Sequence, residues 1–90
     1  MNIDILFDKC IAFVNSLPKS EVMPNEKKLI LYKFFKQATI GNCNIPCPSF
    51  YKLEEKKKYD VWKSVENLSK EEAKKKYIEA VEGMYPQWNK

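Results

Sequence analysis

Four stretches of this chain repeat apolar side chains at steps of three and four residues, and no stretch alternates them cleanly at steps of two. An α-helix places residues three and four apart on one face, whereas a strand needs a period of two, so the pattern predicts an all-α fold. The first stretch, residues 3–16, carries Ile3, Leu6, Phe7, Cys10, Phe13, Val14 and Leu17, and Pro18 stops it. Residues 18–23 read as a loop. Pro24 then suits the first turn of a second helix, with Glu26 beside the positive end of its dipole, and the helix runs to about Thr39, where Gly41 closes it.

Residues 41–52 hold Gly41, two asparagines, Pro46 and Pro48, and read as a surface connection. A third helix is expected over 54–66, opening on Glu54 and Glu55 and carrying Tyr59, Val61, Trp62 and Val65, with Leu68 as an apolar anchor after it. Ser69-Lys70-Glu71-Glu72 has the form of a capping box, in which serine hydroxyl and glutamate satisfy each other's free backbone amides. A fourth helix starts there, with an apolar stripe of Ala73, Tyr77, Ala80, Val81 and Met84 that Gly83 and Pro86 weaken and end.

At 90 residues with 44% apolar content, one domain spanning 1–90 is expected. A chain this small buries only about 60% of its unfolded surface, which favours a groove between helices over an enclosed cavity. The net charge is +4 and all sixteen basic residues are lysines. Arginine's planar fork reads guanine edges, while lysine is a flexible point charge suited to phosphate. The excess therefore points to a phosphate-bearing ligand or an anionic surface more than to sequence-specific DNA.

Cys10, Cys43 and Cys47 are odd in number and lack the spacing of a disulfide framework, which fits reduced thiols in the cytoplasm. With no histidine and no third nearby ligand, Cys43 and Cys47 give no zinc site. The lack of histidine and of a Gly-rich phosphate loop also argues against the common catalytic devices, so the chain reads as a non-enzyme. No signal peptide or membrane span is evident, because Asp4, Asp8 and Lys9 interrupt the first stretch.

The second helix shows two faces where a surface helix needs one. Ile30, Leu31, Phe34 and Ala38 are assigned to the core. Asn25, Lys28, Leu29, Tyr32, Phe35, Lys36 and Thr39 form another stripe, in which rings alternate with ammonium groups. Tyr32 and Phe35 there offer faces to an aromatic base, while Lys36 and Lys33 meet phosphate oxygens. The plainer alternative is that the rings pack on a neighbouring helix and the lysines extend to water. Lys58, one turn before Trp62, projects over the groove edge from the run Lys56, Lys57, Lys58, of which the first two read as solvated charges. Tyr77 reads as a packing residue with its hydroxyl at the rim.

The segment Leu31-Tyr32-Lys33-Phe34-Phe35-Lys36-Gln37-Ala38-Thr39-Ile40-Gly41 resembles the signature of acyl-CoA-binding proteins. Phe7-Asp8-Lys9, Pro48, Lys58-Tyr59-Asp60-Val61-Trp62, Ser69-Lys70-Glu71-Glu72-Ala73 and Tyr77-Ile78 extend the resemblance over nearly the whole chain. It implies an up-down-down-up four-helix bundle that binds medium- and long-chain acyl-CoA esters and carries or buffers them unchanged. Its ligand residues map onto Tyr32, Lys36, Lys58 and Tyr77, assigned by the resemblance to adenine and the ribose phosphate. Phe35 replaces a tyrosine, Tyr59 a tryptophan, Asn25 an aspartate, Lys28 an apolar residue and Asn15 a lysine; these departures line or border the groove. The expected site is Asn25, Leu29, Tyr32, Lys33, Phe35, Lys36, Lys58 and Tyr77, without metal or cofactor. The expected molecule is a monomer with only transient membrane or enzyme contacts and no stable nucleic-acid complex. The rival reading is a lysine-rich helical module that binds nucleic acid or anionic membranes.

Overall fold

The structure, a computed structural model, describes residues 2–17 and 23–88. Pro18 and the expected loop as far as Val22 lie outside the described residues. The described residues form four helices and no strand: α1 (Ile3–Ser16), α2 (Asn25–Thr39), α3 (Leu53–Lys63) and α4 (Lys70–Met84). They run up, down, down and up. The α2 helix packs along α4, α4 along α1, and α3 lies against α2.

Each helix start has a local cause. The Asn2 side chain accepts from the Asp4 backbone N–H at 2.8 Å and caps α1. Pro24 is the N-cap of α2 rather than its first residue, and its carbonyl accepts from the N–H groups of Lys27 and Lys28. Ser69 caps α4, accepting from the Glu72 N–H at 3.0 Å. Only half of the expected capping box forms, because the Glu72 carboxylate accepts from the Ser69 hydroxyl instead of the Ser69 backbone N–H.

One helix end differs from expectation. The α3 helix stops at Lys63, three residues early, where the chain tightens into turns closed by Val65 N–H to the Trp62 carbonyl and Glu66 N–H to the Lys63 carbonyl. Asn67 follows in the left-handed region with φ 79°, a conformation asparagine tolerates. At the other end of the chain, α4 passes through Gly83 to Met84. One glycine costs about 1 kcal/mol in a helix, too little to break a ladder already anchored by Val81.

Phe7, Cys10, Leu31, Ala38, Ala73, Tyr77, Val81 and Trp88 form the buried cluster. One assignment is corrected: Ile30 is exposed, and the inward positions of α2 are Leu31, Gln37 and Ala38, with Phe34 and Phe35 packed against the cluster. Neighbouring residues on a helix are about 100° apart, so α2 cannot turn both Ile30 and Leu31 toward α4. An ion pair from Lys74 to Asp4 at 2.6 Å ties α4 to α1.

The connection between α2 and α3 is fastened rather than loose. Gly41 has φ 102°, which favours glycine, and its carbonyl accepts from the buried Trp62 indole N–H at 2.9 Å. The Asn42 side-chain oxygen accepts from Gln37 Nε2 at 2.9 Å and from the Asn67 N–H at 2.8 Å. Gln37 Nε2 also donates to the Leu68 carbonyl at 2.9 Å. This network holds α2, the connection and the α3–α4 junction in one register, and so fixes how α3 faces α2.

Candidate functional site

Two clefts meet at Tyr32. The smaller, about 230 Å³, is lined by Ile11 and Asn15 of α1, Leu31, Tyr32 and Phe35 of α2, and Tyr77 of α4. The larger, about 700 Å³, opens between α2 and α3 and is lined by Asn25, Glu26, Lys28, Leu29 and Tyr32 on one side and Leu53, Glu54, Lys57 and Lys58 on the other. Helical spacing explains the second wall: Leu53 with Lys57 and Glu54 with Lys58 are two pairs four residues apart, two adjacent rows along the broad side of α3.

The Tyr32 ring is flanked by two ammonium groups, Lys36 Nζ at 5.7 Å and Lys58 Nζ at 5.6 Å from its centroid. Lys36 also sits 5.6 Å from the Trp62 ring. The protein therefore converges two positive charges from different helices on one aromatic ring, an arrangement able to hold a flat ring and a phosphate side by side. Glu54 approaches Lys58 at 3.9 Å, an exposed pair too weak to consume its charge.

Tyr77 is buried, edge-on to Phe7 at 5.2 Å and tilted to Phe35 at 6.4 Å. Burial, and secondarily the neighbouring Cys10, push the Tyr77 phenol up to about 12. Burial also raises Tyr32, with a smaller contribution from Cys43. Both phenols stay protonated near neutral pH and remain hydrogen-bond donors.

Seven of the eight expected site residues converge here. Tyr32, Phe35 and Tyr77 line the small cleft; Asn25, Leu29, Tyr32 and Lys58 line the groove; Lys36 stands over Tyr32. Lys33 does not join them, lining neither cleft and sitting 5.0 Å from the Phe34 ring. Among the expected departures, Asn15, Phe35, Asn25 and Lys28 are lining residues, whereas Tyr59 lines neither cleft and stacks under Lys56 at 5.8 Å. Leu53 and Lys57 are not among the expected site residues; they lie four residues apart, in the row beside that of Glu54 and Lys58. Among the described residues no group of three or more His, Cys, Asp or Glu side chains is placed to hold a metal. No helix among them is long and apolar enough to cross a membrane.

The buried groups beneath the small cleft set an alkaline limit on stability. Burial, then the charge of Glu82, raise the Cys10 thiol from 9.0 to about 12, while Tyr77 rises from 10.0. Between pH 9 and 12 the folded chain thus holds protons that the unfolded chain has released, so stability is full below pH 9 and falls as pH rises through that window. Urea unfolding under reducing conditions is expected to show a loss on the order of 6 kcal/mol by pH 12. With no histidine in the chain, little change is expected between pH 6 and 8. A flat profile to pH 11 would contradict the burial of these two groups.

The sequence profile of the acyl CoA binding protein family matches residues 4–81. The chain is 38% identical over 87 residues to acyl-CoA-binding protein homolog 3 of Caenorhabditis elegans, an alignment spanning 94% of this chain and 75% of that one. It is 42% identical over 84 residues to acyl-CoA-binding domain-containing protein 6 of Rattus norvegicus, covering 93% of this chain but 29% of that longer protein. The crystal structure of ACBP from Moniliophthora perniciosa is similar with a TM-score of 0.87 at 39% identity, over 100% of this chain and 86% of that one. Identity at this level, sustained over nearly the full length and carried by the same helical fold, means that the chain belongs to the acyl-CoA-binding protein family.

Proposed function

We propose that residues 1–90 act as a single acyl-CoA-binding domain that carries or buffers medium- and long-chain fatty acyl-CoA esters without altering them. The observation that carries the reading is the meeting of two unlike clefts at Tyr32. The small cleft, with Tyr32, Phe35 and Tyr77 beside Lys36 and Lys58, suits an aromatic base and its phosphates. The α2–α3 groove, with Leu29 and Leu53 on facing helices, suits an alkyl chain. Phe35 offers a ring face but no hydroxyl, so hydrogen bonding there falls to Tyr32 and Tyr77.

Catalysis is not needed for this role. The chain has no histidine, and covering the thioester in a groove shields it from water. We place the protein in the cytoplasm as a monomer that meets membranes or enzymes transiently. Phe50 and Tyr51, 84% and 70% exposed, supply apolar surface for such encounters.

Calorimetric titration with a sixteen-carbon acyl-CoA, free CoA and the free fatty acid tests the reading. The ester is expected to bind much more tightly than either fragment, and affinity to rise with chain length by about 0.8 kcal/mol per methylene buried until the groove is full. Equal binding of all three, or none, would overturn it.

A further inference from the structure

The groove between α2 and α3 is not the wholly apolar slot that a methyl-ended chain prefers. Leu29 and Leu53 face each other across it, but Lys28 adjoins Leu29 and Lys57 lies one turn beyond Leu53, and both lysines line the same space. Around α3 every other lysine has a carboxylate partner: Lys52 with Glu55 at 4.0 Å, Lys56 with Asp60 at 2.6 Å, Lys58 with Glu54 at 3.9 Å and Lys63 with Glu66 at 2.9 Å. Lys57 has none among the described residues, and neither has Lys28.

The groove is lined by two carboxylates, Glu26 and Glu54, against three ammonium groups, Lys28, Lys57 and Lys58, and only Lys58 has a carboxylate within 4 Å among the described residues. An alkyl chain laid on Leu29 and Leu53 would pass between positive charges from two helices. A terminal methyl offers those charges nothing and displaces their water, whereas a terminal anion supplies the missing counter-charge.

We propose that this groove favours acyl-CoA esters whose acyl chain ends in a carboxylate, the mono-CoA esters of dicarboxylic acids, with Lys28 and Lys57 holding the distal carboxylate. The proposal rests on the acyl-CoA reading above, with the tail between α2 and α3. The alkyl stems of both lysines add apolar contact along the chain, and their mobile ends adapt to acyl groups of different reach.

The test is titration of the protein with free CoA and with matched pairs of methyl-ended and carboxyl-ended acyl-CoA at ten, twelve and sixteen carbons. At low salt the carboxyl-ended ester is expected to bind roughly fivefold more tightly than its partner at one or more lengths, an advantage that shrinks as salt screens it. In the Lys28→Met/Lys57→Met double variant the preference should reverse. Both positions are exposed, so the variant is expected to fold, which circular dichroism checks.

Equal or weaker binding of the carboxyl-ended ester at all three lengths, with the methyl-ended ester still bound, overturns the inference and leaves the acyl-CoA reading standing. A double variant that weakens free CoA as much as both esters assigns the lysines to the head group and also overturns it. Failure of every CoA compound to bind removes the underlying reading as well.

Discussion

Replacing Trp62 with alanine is expected to cost about 3–5 kcal/mol, enough to leave a domain of this size largely unfolded near 37 °C. Trp62 is 1% exposed, so the truncation opens a cavity between α3 and α2. It also strands a hydrogen bond, because the indole N–H donates to the carbonyl of Gly41, a residue whose φ of 102° is itself held by that contact. A lowering of Tm by roughly 15–30 °C corresponds to this loss. Trp62→Phe separates the two contributions: it keeps most of the ring volume, forfeits the donor, and is expected to cost only about 1–2 kcal/mol. Thermal and urea melts decide the matter. An alanine variant within 1 kcal/mol of wild type would mean that the α2–α3 connection is not fastened through this residue.

The second large effect concerns the ligand and not the fold. Lys36 and Lys58 each hold an ammonium group near the Tyr32 ring, at 5.7 and 5.6 Å from its centroid. A charge-assisted hydrogen bond to phosphate contributes about 1.5–3 kcal/mol, so each alanine variant is expected to lose between about tenfold and a hundredfold in affinity for a long-chain acyl-CoA. The double variant should lose less than the product of the two, since both charges act on one phosphate cluster. Stability should barely change, because among the described residues the only ion pair removed is the exposed one from Lys58 to Glu54. Lys33→Ala, at a position outside both clefts, is expected to have a much smaller effect. Titration calorimetry beside circular dichroism reads both quantities, and a double variant that binds within threefold of wild type would refute the assignment of these lysines.

Much of the architecture was legible because it is local. The three- and four-residue spacing from Ile3 to Leu17, Pro24 before α2 and Ser69 before α4 each act within one or two turns, and each marks a boundary within a residue of its true place. What was not legible depends on docking. Ile30 and Leu31 are equally apolar, and only the packing of α2 on α4 buries one and exposes the other. The end of α3 depends on a tight turn and a left-handed Asn67, neither of which residue type dictates.

The site follows the same division. Tyr32, Phe35 and Lys36 could be grouped from one helix alone, and Phe35 lines the small cleft while stacking on Phe7 at 6.4 Å. Lys57 reads as a solvated charge within a run of three lysines, and it is exposed, but its place in the groove wall could not be seen from the run. It lines the groove because α3 turns the Leu53 face toward α2, and that rotation is set by Trp62 and Gly41 from outside the run.

Tyr32 forms part of the wall of both clefts. An acyl-CoA spanning them is in effect two weak ligands on one tether: once the nucleotide end is seated, the tail faces its groove at a high effective concentration. Free CoA and free fatty acid each hold only one end and lose that advantage. On the proposed reading, the tether lets the protein distinguish an intact thioester from its hydrolysis products, and cleavage of that one bond is enough to release both halves.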